Sequence, residues 1–104
     1  MIKVKIYRHG DKISGFSING HSGKAPRGED IYCAGISTVS QAAYMCITDH
    51  LNREVAGNVY DDVLELRLLD EPDEVTEAVF QTMLIGITEI QRLVPDAVKI
   101  INIG

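Results

Sequence analysis

Two side chains in this 104-residue sequence are suited to nucleophilic chemistry by type and by spacing. His21 and Cys33 stand at opposite ends of a polar, glycine-rich loop in the stretch NGHSGKAPRGEDIYCAG, residues 19–35. A thiolate is a strong nucleophile, and an imidazole within reach can take the thiol proton and later return it to a leaving amine. Residues 20–30 hold Gly20, Gly23 and Gly28 with Ser22, Lys24, Pro26, Arg27, Glu29 and Asp30, and almost nothing that could anchor them to a core. That composition predicts a mobile surface loop able to move over a ligand, with a solvated connection as the plain alternative. Asp30 is suited to cap the helix that follows, which puts Cys33 at N3, where unpaired N–H groups and the helix dipole favour negative charge. The alternative for Cys33 is a small buried hydrophobe. Ser37, one turn later on the same side, either hydrogen-bonds near the sulfur or belongs to a polar patch. Gly35 costs about 1 kcal/mol relative to alanine inside a helix. It is explained either by close approach of a substrate backbone or by tight packing of the helix on a sheet.

Other constellations fail on geometry. Cys46 and His50 are four apart, a spacing that can bind metal, and His21 with Cys33 would complete a Cys2His2 set. On one helix, however, Cys33 and Cys46 lie about 20 Å apart along the axis. They can neither share an ion nor form a disulfide, which needs Cα atoms within about 7 Å. No metal and no cofactor is expected. Gly23-Lys24 is followed by Ala25, so there is no phosphate-binding Gly-Lys-Ser/Thr run. Lys24 and Arg27 are read as solvated charges, and the acids of DEPDE, residues 70–74, as helix-start residues. His9 falls in a turn and needs no role.

The elements that must position the pair follow from periodicity. Ile2, Val4 and Ile6 alternate with Lys3, Lys5 and Tyr7, predicting a strand, and a Gly-containing turn leads into a second strand. The apolar phase changes between Ile13 and the pair Phe16 and Ile18, with Gly15 at the change, which predicts a β-bulge. From Ile31 the spacing becomes helical, with Ile36, Val39, Ala43, Ile47 and Leu51 in one stripe. Gly57 and Asn58 end that segment, and VLELRLL, residues 63–69, reads as a third strand. Pro72 suits the first turn of a second helix. Val75, Val79, Met83, Ile90 and Val94 give that helix an apolar side until Pro95. AVKIINI closes the chain as a strand. The expected fold is α+β, a two-layer sandwich in the order β-β-α-β-α-β, one domain over 1–104 with both helices on one face of the sheet.

Composition narrows the function. The net charge is −5, and no run of Lys and Arg stands out, which argues against direct binding to nucleic acid. The start, MIKVKIYRHG, lacks the apolar core of a signal peptide, and no window is long enough to span a bilayer, so a cytoplasmic location is expected.

Gly20-His21, followed by Asp30-Ile31-Tyr32-Cys33-Ala34-Gly35-Ile36-Ser37, resembles the ribosomal-processing cysteine protease family, Prp. YDD at 60–62 and QTML at 81–84 extend the similarity over nearly the whole chain. Tyr32 stands where an aliphatic residue is more usual. The resemblance implies a bacterial cysteine endopeptidase that removes the N-terminal extension of a large-subunit ribosomal protein, cutting after a pair of aromatic residues. It implies Cys33 as nucleophile and His21 as base under a gating Gly-rich loop, and a homodimer. Gly20, Asp30, Ala34 and Ser37 match as supporting or substrate-binding positions. In that mechanism backbone N–H groups at the helix start stabilise the oxyanion. The rival readings are a non-catalytic module that binds a ribosomal protein and keeps a surface thiol, and a thiol redox or acyl-transfer protein. The second lacks a C-x-x-C partner.

Overall fold

The computed structural model describes residues 1–20, 30–60 and 62–104. In strand β1 (Ile2–His9) the buried Ile2, Val4 and Ile6 alternate with the exposed Lys3 and Lys5, as the period of two dictates. Gly10, at φ +64°, turns the chain into β2 (Lys12–Gly20). The antiparallel register slips by one between Tyr7, opposite Gly15, and Arg8, opposite Ile13, leaving Ser14 as the extra residue of a bulge. The slip returns Ile13, Phe16 and Ile18 to one buried face, the outcome that the phase change at Gly15 predicts.

Helix α1 (Ile31–Met45) runs into a five-residue π-helical turn, Cys46–His50, closed by the Leu51 N–H donating to the Cys46 carbonyl at 2.9 Å. Its stripe is the predicted one: Ile36, Ala43 and Ile47 are buried, and Val39 and Leu51 pack against them. A strand comes next, where Gly57 and Asn58 predict only the end of the helical segment. β3 (Val55–Tyr60) pairs antiparallel with β4 (Val63–Leu68), so the order is β-β-α-β-β-α-β. Gly57 looks like a chain breaker, but it lies in the row facing the helices, where the Tyr44 hydroxyl fills the space that a Cβ would need.

Helix α2 (Glu74–Leu93) starts from Asp73, so Pro72 precedes the cap instead of occupying the first turn. Phe80, Met83 and Ile87 carry its buried face, whereas Val75, expected there, is exposed. Phe80 meets Phe16 edge-on, with centroids 6.0 Å apart. Strand β5 (Val98–Ile103) lies parallel to β1, and the sheet order is β3-β4-β2-β1-β5. One apolar cluster joins Ile2, Val4, Phe16, Leu66 and Val98 of the sheet to both helices. The expected α+β two-layer sandwich holds, with one strand more. None of the described helices is long and apolar enough to cross a membrane.

Candidate active site

The site is assembled where β2 ends and α1 begins. Gly20, the last residue of β2, has φ +98°, and a Cβ there would overlap the Met1 carbonyl. Its N–H donates to the Asp62 carbonyl at 3.3 Å. Only glycine tolerates that backbone and that contact together, so the chain leaves the sheet at a fixed angle before His21. His21 and the loop through Glu29, with Lys24 and Arg27, lie outside the described residues.

The described chain resumes at Asp30, which is buried at 7 % exposure and caps α1. One carboxylate oxygen, Oδ1, accepts from the N–H of Tyr32 at 2.8 Å and of Cys33 at 3.1 Å. The Asp30 carbonyl accepts from Ala34 N–H at 3.0 Å. Asp30 therefore fixes three successive amides and sets Cys33 at N3, as the sequence reading expects. Cys33 is half-buried and packs against the core, so it combines the predicted position with part of the alternative, a packed hydrophobe. Ala34 is exposed beside it.

This cap corrects one expectation. The amides of Tyr32, Cys33 and Ala34 are already engaged by Asp30, so the helix start does not present them as a ready oxyanion hole. The spacing of the acid that makes the cap conceals this, because a good N-cap consumes the same donors. Two further alternatives are decided. Ser37 is exposed, and its hydroxyl accepts from Gln41 Nε2 at 2.7 Å, placing it in a polar surface pair. At Gly35 a Cβ would come within 2.9 Å of the Ile90 methyl, so the glycine serves close packing, against α2 and not against the sheet.

Packing also relates Gly20 to the first turns of α1 through α2 and β5. Gly35 touches Ile90 near the end of α2. The chain then passes through Ala97 to Val98, which pairs with Ile2, and Ile2 in turn pairs with Gly20.

The remaining candidates separate as geometry predicts. Cys46 stands at the far end of α1, beside Val39, Ala43 and Met83, and neither cysteine is in a disulfide. His50 is exposed. Among the described residues no group of His, Cys, Asp and Glu could hold a metal ion. His9 meets Glu71 at 3.1 Å on the surface. In DEPDE, Asp73 forms a capping box with Thr76, and Arg53 reaches Asp70 at 2.9 Å and Asp73 at 3.0 Å. The Thr76 amide first, and then the charge of Arg53, hold the Asp73 carboxyl below its usual range.

A protein-family model described as cysteine protease Prp matches residues 1–99. No curated protein matches the sequence. Among solved structures, the ribosomal processing protease Prp from S. aureus, in complex with a covalently linked product peptide, is 24% identical. It superposes with a TM-score of 0.90 over 99% of this chain and 100% of that one. The same S. aureus protease in complex with a substrate peptide is 23% identical, with a TM-score of 0.84 over 99% and 100%. A Streptococcus mutans protein, 23% identical, gives 0.76 over 99% of this chain and 94% of its own.

Proposed function

This chain belongs to the Prp family of cysteine proteases and is a cysteine peptidase, and from that premise we propose that it removes the N-terminal extension of a large-subunit ribosomal protein. The observation that carries the assignment of the nucleophile is the half-buried thiol of Cys33 at N3 of α1, held by the Asp30 cap. The S. aureus structures, of a ribosomal processing protease holding peptides, support the substrate class.

In this reading His21 takes the Cys33 proton, and the thiolate sulfur adds to the scissile carbonyl. The C–N bond then breaks as His21 returns the proton to the leaving amine, and a thioester remains on Cys33. Water, deprotonated by His21, hydrolyses the thioester and restores the thiol. Gly20 aims His21, Asp30 holds the Cys33 backbone, Ala34 borders the substrate, and Ser37 supports the helix surface. The Gly-rich loop gates access. The oxyanion donors come from outside the three amides that Asp30 holds. The enzyme works in the cytoplasm, as a homodimer, with no cofactor.

The test is incubation of the chain with a cognate ribosomal-protein precursor and mass measurement of the products. A single cut that releases the extension is expected, with a loss of about 10³-fold or more in kcat for Cys33→Ala and for His21→Ala. Binding of the precursor without cleavage by the wild-type chain would reject the reading and leave a non-catalytic module.

A further inference from the structure

The face of the sheet opposite the helices gathers cations that the sequence scatters. Strand pairing sets Lys3 between Asn19 and Lys99, and Lys5 between Ser17 and Ile101. The next row runs Arg67, Gly15, Tyr7 and Ile103. Lys3, Lys5, Arg67 and Lys99 are all exposed. Glu65 is the one acid in these rows, and it accepts the Tyr7 hydroxyl at 3.0 Å. In a chain of net charge −5, this surface is positive.

Two details distinguish it from a merely solvated face. Lys3 and Lys99 are direct neighbours on adjacent strands, about 5 Å apart, and Lys5 follows about 7 Å along β1. Like charges so placed repel, and an anion laid across them relieves the repulsion. Arg67, with glycine between it and Tyr7, crosses to lie over the ring at 3.7 Å from the centroid. The cation–π contact holds the guanidinium over the Tyr7 ring, and its exposed side offers a nucleobase a surface to stack on. Lysines spaced for successive phosphates beside such a plane, with the exposed Asn19 as a neutral hydrogen-bonding group, match a single-stranded polynucleotide.

We propose that the open face of the sheet, through Lys3, Lys5, Lys99 and Arg67, binds single-stranded RNA. The absence of a basic run, which sets nucleic acid aside in the sequence, does not bear on a cluster built by strands that meet only in the fold. The proposal adds a partner to the ribosomal reading above and rests on it only for the choice of RNA over DNA.

The test is fluorescence anisotropy of the full chain with a labelled 12-nucleotide oligouridine. Three phosphate contacts predict that affinity falls about 20-fold between 50 and 200 mM salt. Lys3→Glu, Lys5→Glu and Lys99→Glu combined should abolish binding, while melting and cleavage of the ribosomal precursor's peptide persist. Arg67→Lys keeps the charge and removes the stack, and should weaken binding several-fold. No binding at 50 mM salt, binding by the triple variant within twofold of wild type, or equal binding of a polyglutamate peptide would each overturn the proposal. Because cleavage is read separately, failure to bind RNA leaves the peptidase reading untouched, and failure to cleave removes only the choice of RNA over DNA.

Discussion

The two helices of this fold begin in opposite ways. Both are capped by aspartate, and both cap side chains accept from the N3 amide. At α2 the terminus is finished for stability. The Thr76 hydroxyl at N3 accepts from the Asp73 N–H at 2.9 Å, Glu74 and Glu77 meet the dipole in the first turn, and Arg53 ties the loop down. At α1 no acid follows the cap in the first turn, and N3 is Cys33. The helix start with the more buried cap thus keeps its first turn free of carboxylates, where its counterpart carries Glu74 and Glu77. A thiol and a capping hydroxyl occupy equivalent positions of two helices packed side by side.

The sharpest way to break this comparison is to make α1 resemble α2. Cys33→Thr installs the residue that completes the capping box at the other helix. Cleavage should fall about 10³-fold or more, with the melting temperature unchanged or raised. A melting loss of several degrees would show that the thiol is there for packing. Next comes Asp30→Ala, expected to cost about 1 kcal/mol in denaturant unfolding and also to lower kcat, because the Cys33 amide loses its anchor. Asp73→Ala should lower the melting temperature by a few degrees and leave kcat as it was. Equal effects of the two substitutions on kcat would erase the distinction. The smallest effect is in pH. Since folding lowers the Asp73 pKa, its stabilisation is full above the ordinary carboxylate pKa and fades as pH falls through the lowered one. The melting difference between wild type and Asp73→Asn should therefore be present at neutral pH and shrink in acid.

Much of this was readable from residue types alone. The alternation of β1, the bulge before Phe16, the Asp30 cap and the N3 position of Cys33 each depend on neighbours in sequence, so local rules reach them. β3 was not legible, because Gly57 and Asn58 signal a turn unless the reader knows that Tyr44 fills the space over the glycine. The reason for Gly35 lay on α2, and the reason for Gly20 in its contact with Met1. The engagement of the helix-start amides was hidden by the residue that made the helix start recognisable. His21, the proposed base, lies outside the described residues.

One feature of the sheet bears on how the molecule comes to be. β1 becomes an interior strand only when β5 joins it in parallel, Ile2 beside Val98, a pairing between residues far apart in sequence. Contacts so remote in sequence form slowly. During synthesis β1 must wait with an open edge until residue 98 has left the ribosome. Gly20, opposite Ile2 in β2, lies at that same corner, so this end of the sheet is completed only after β5 has been made.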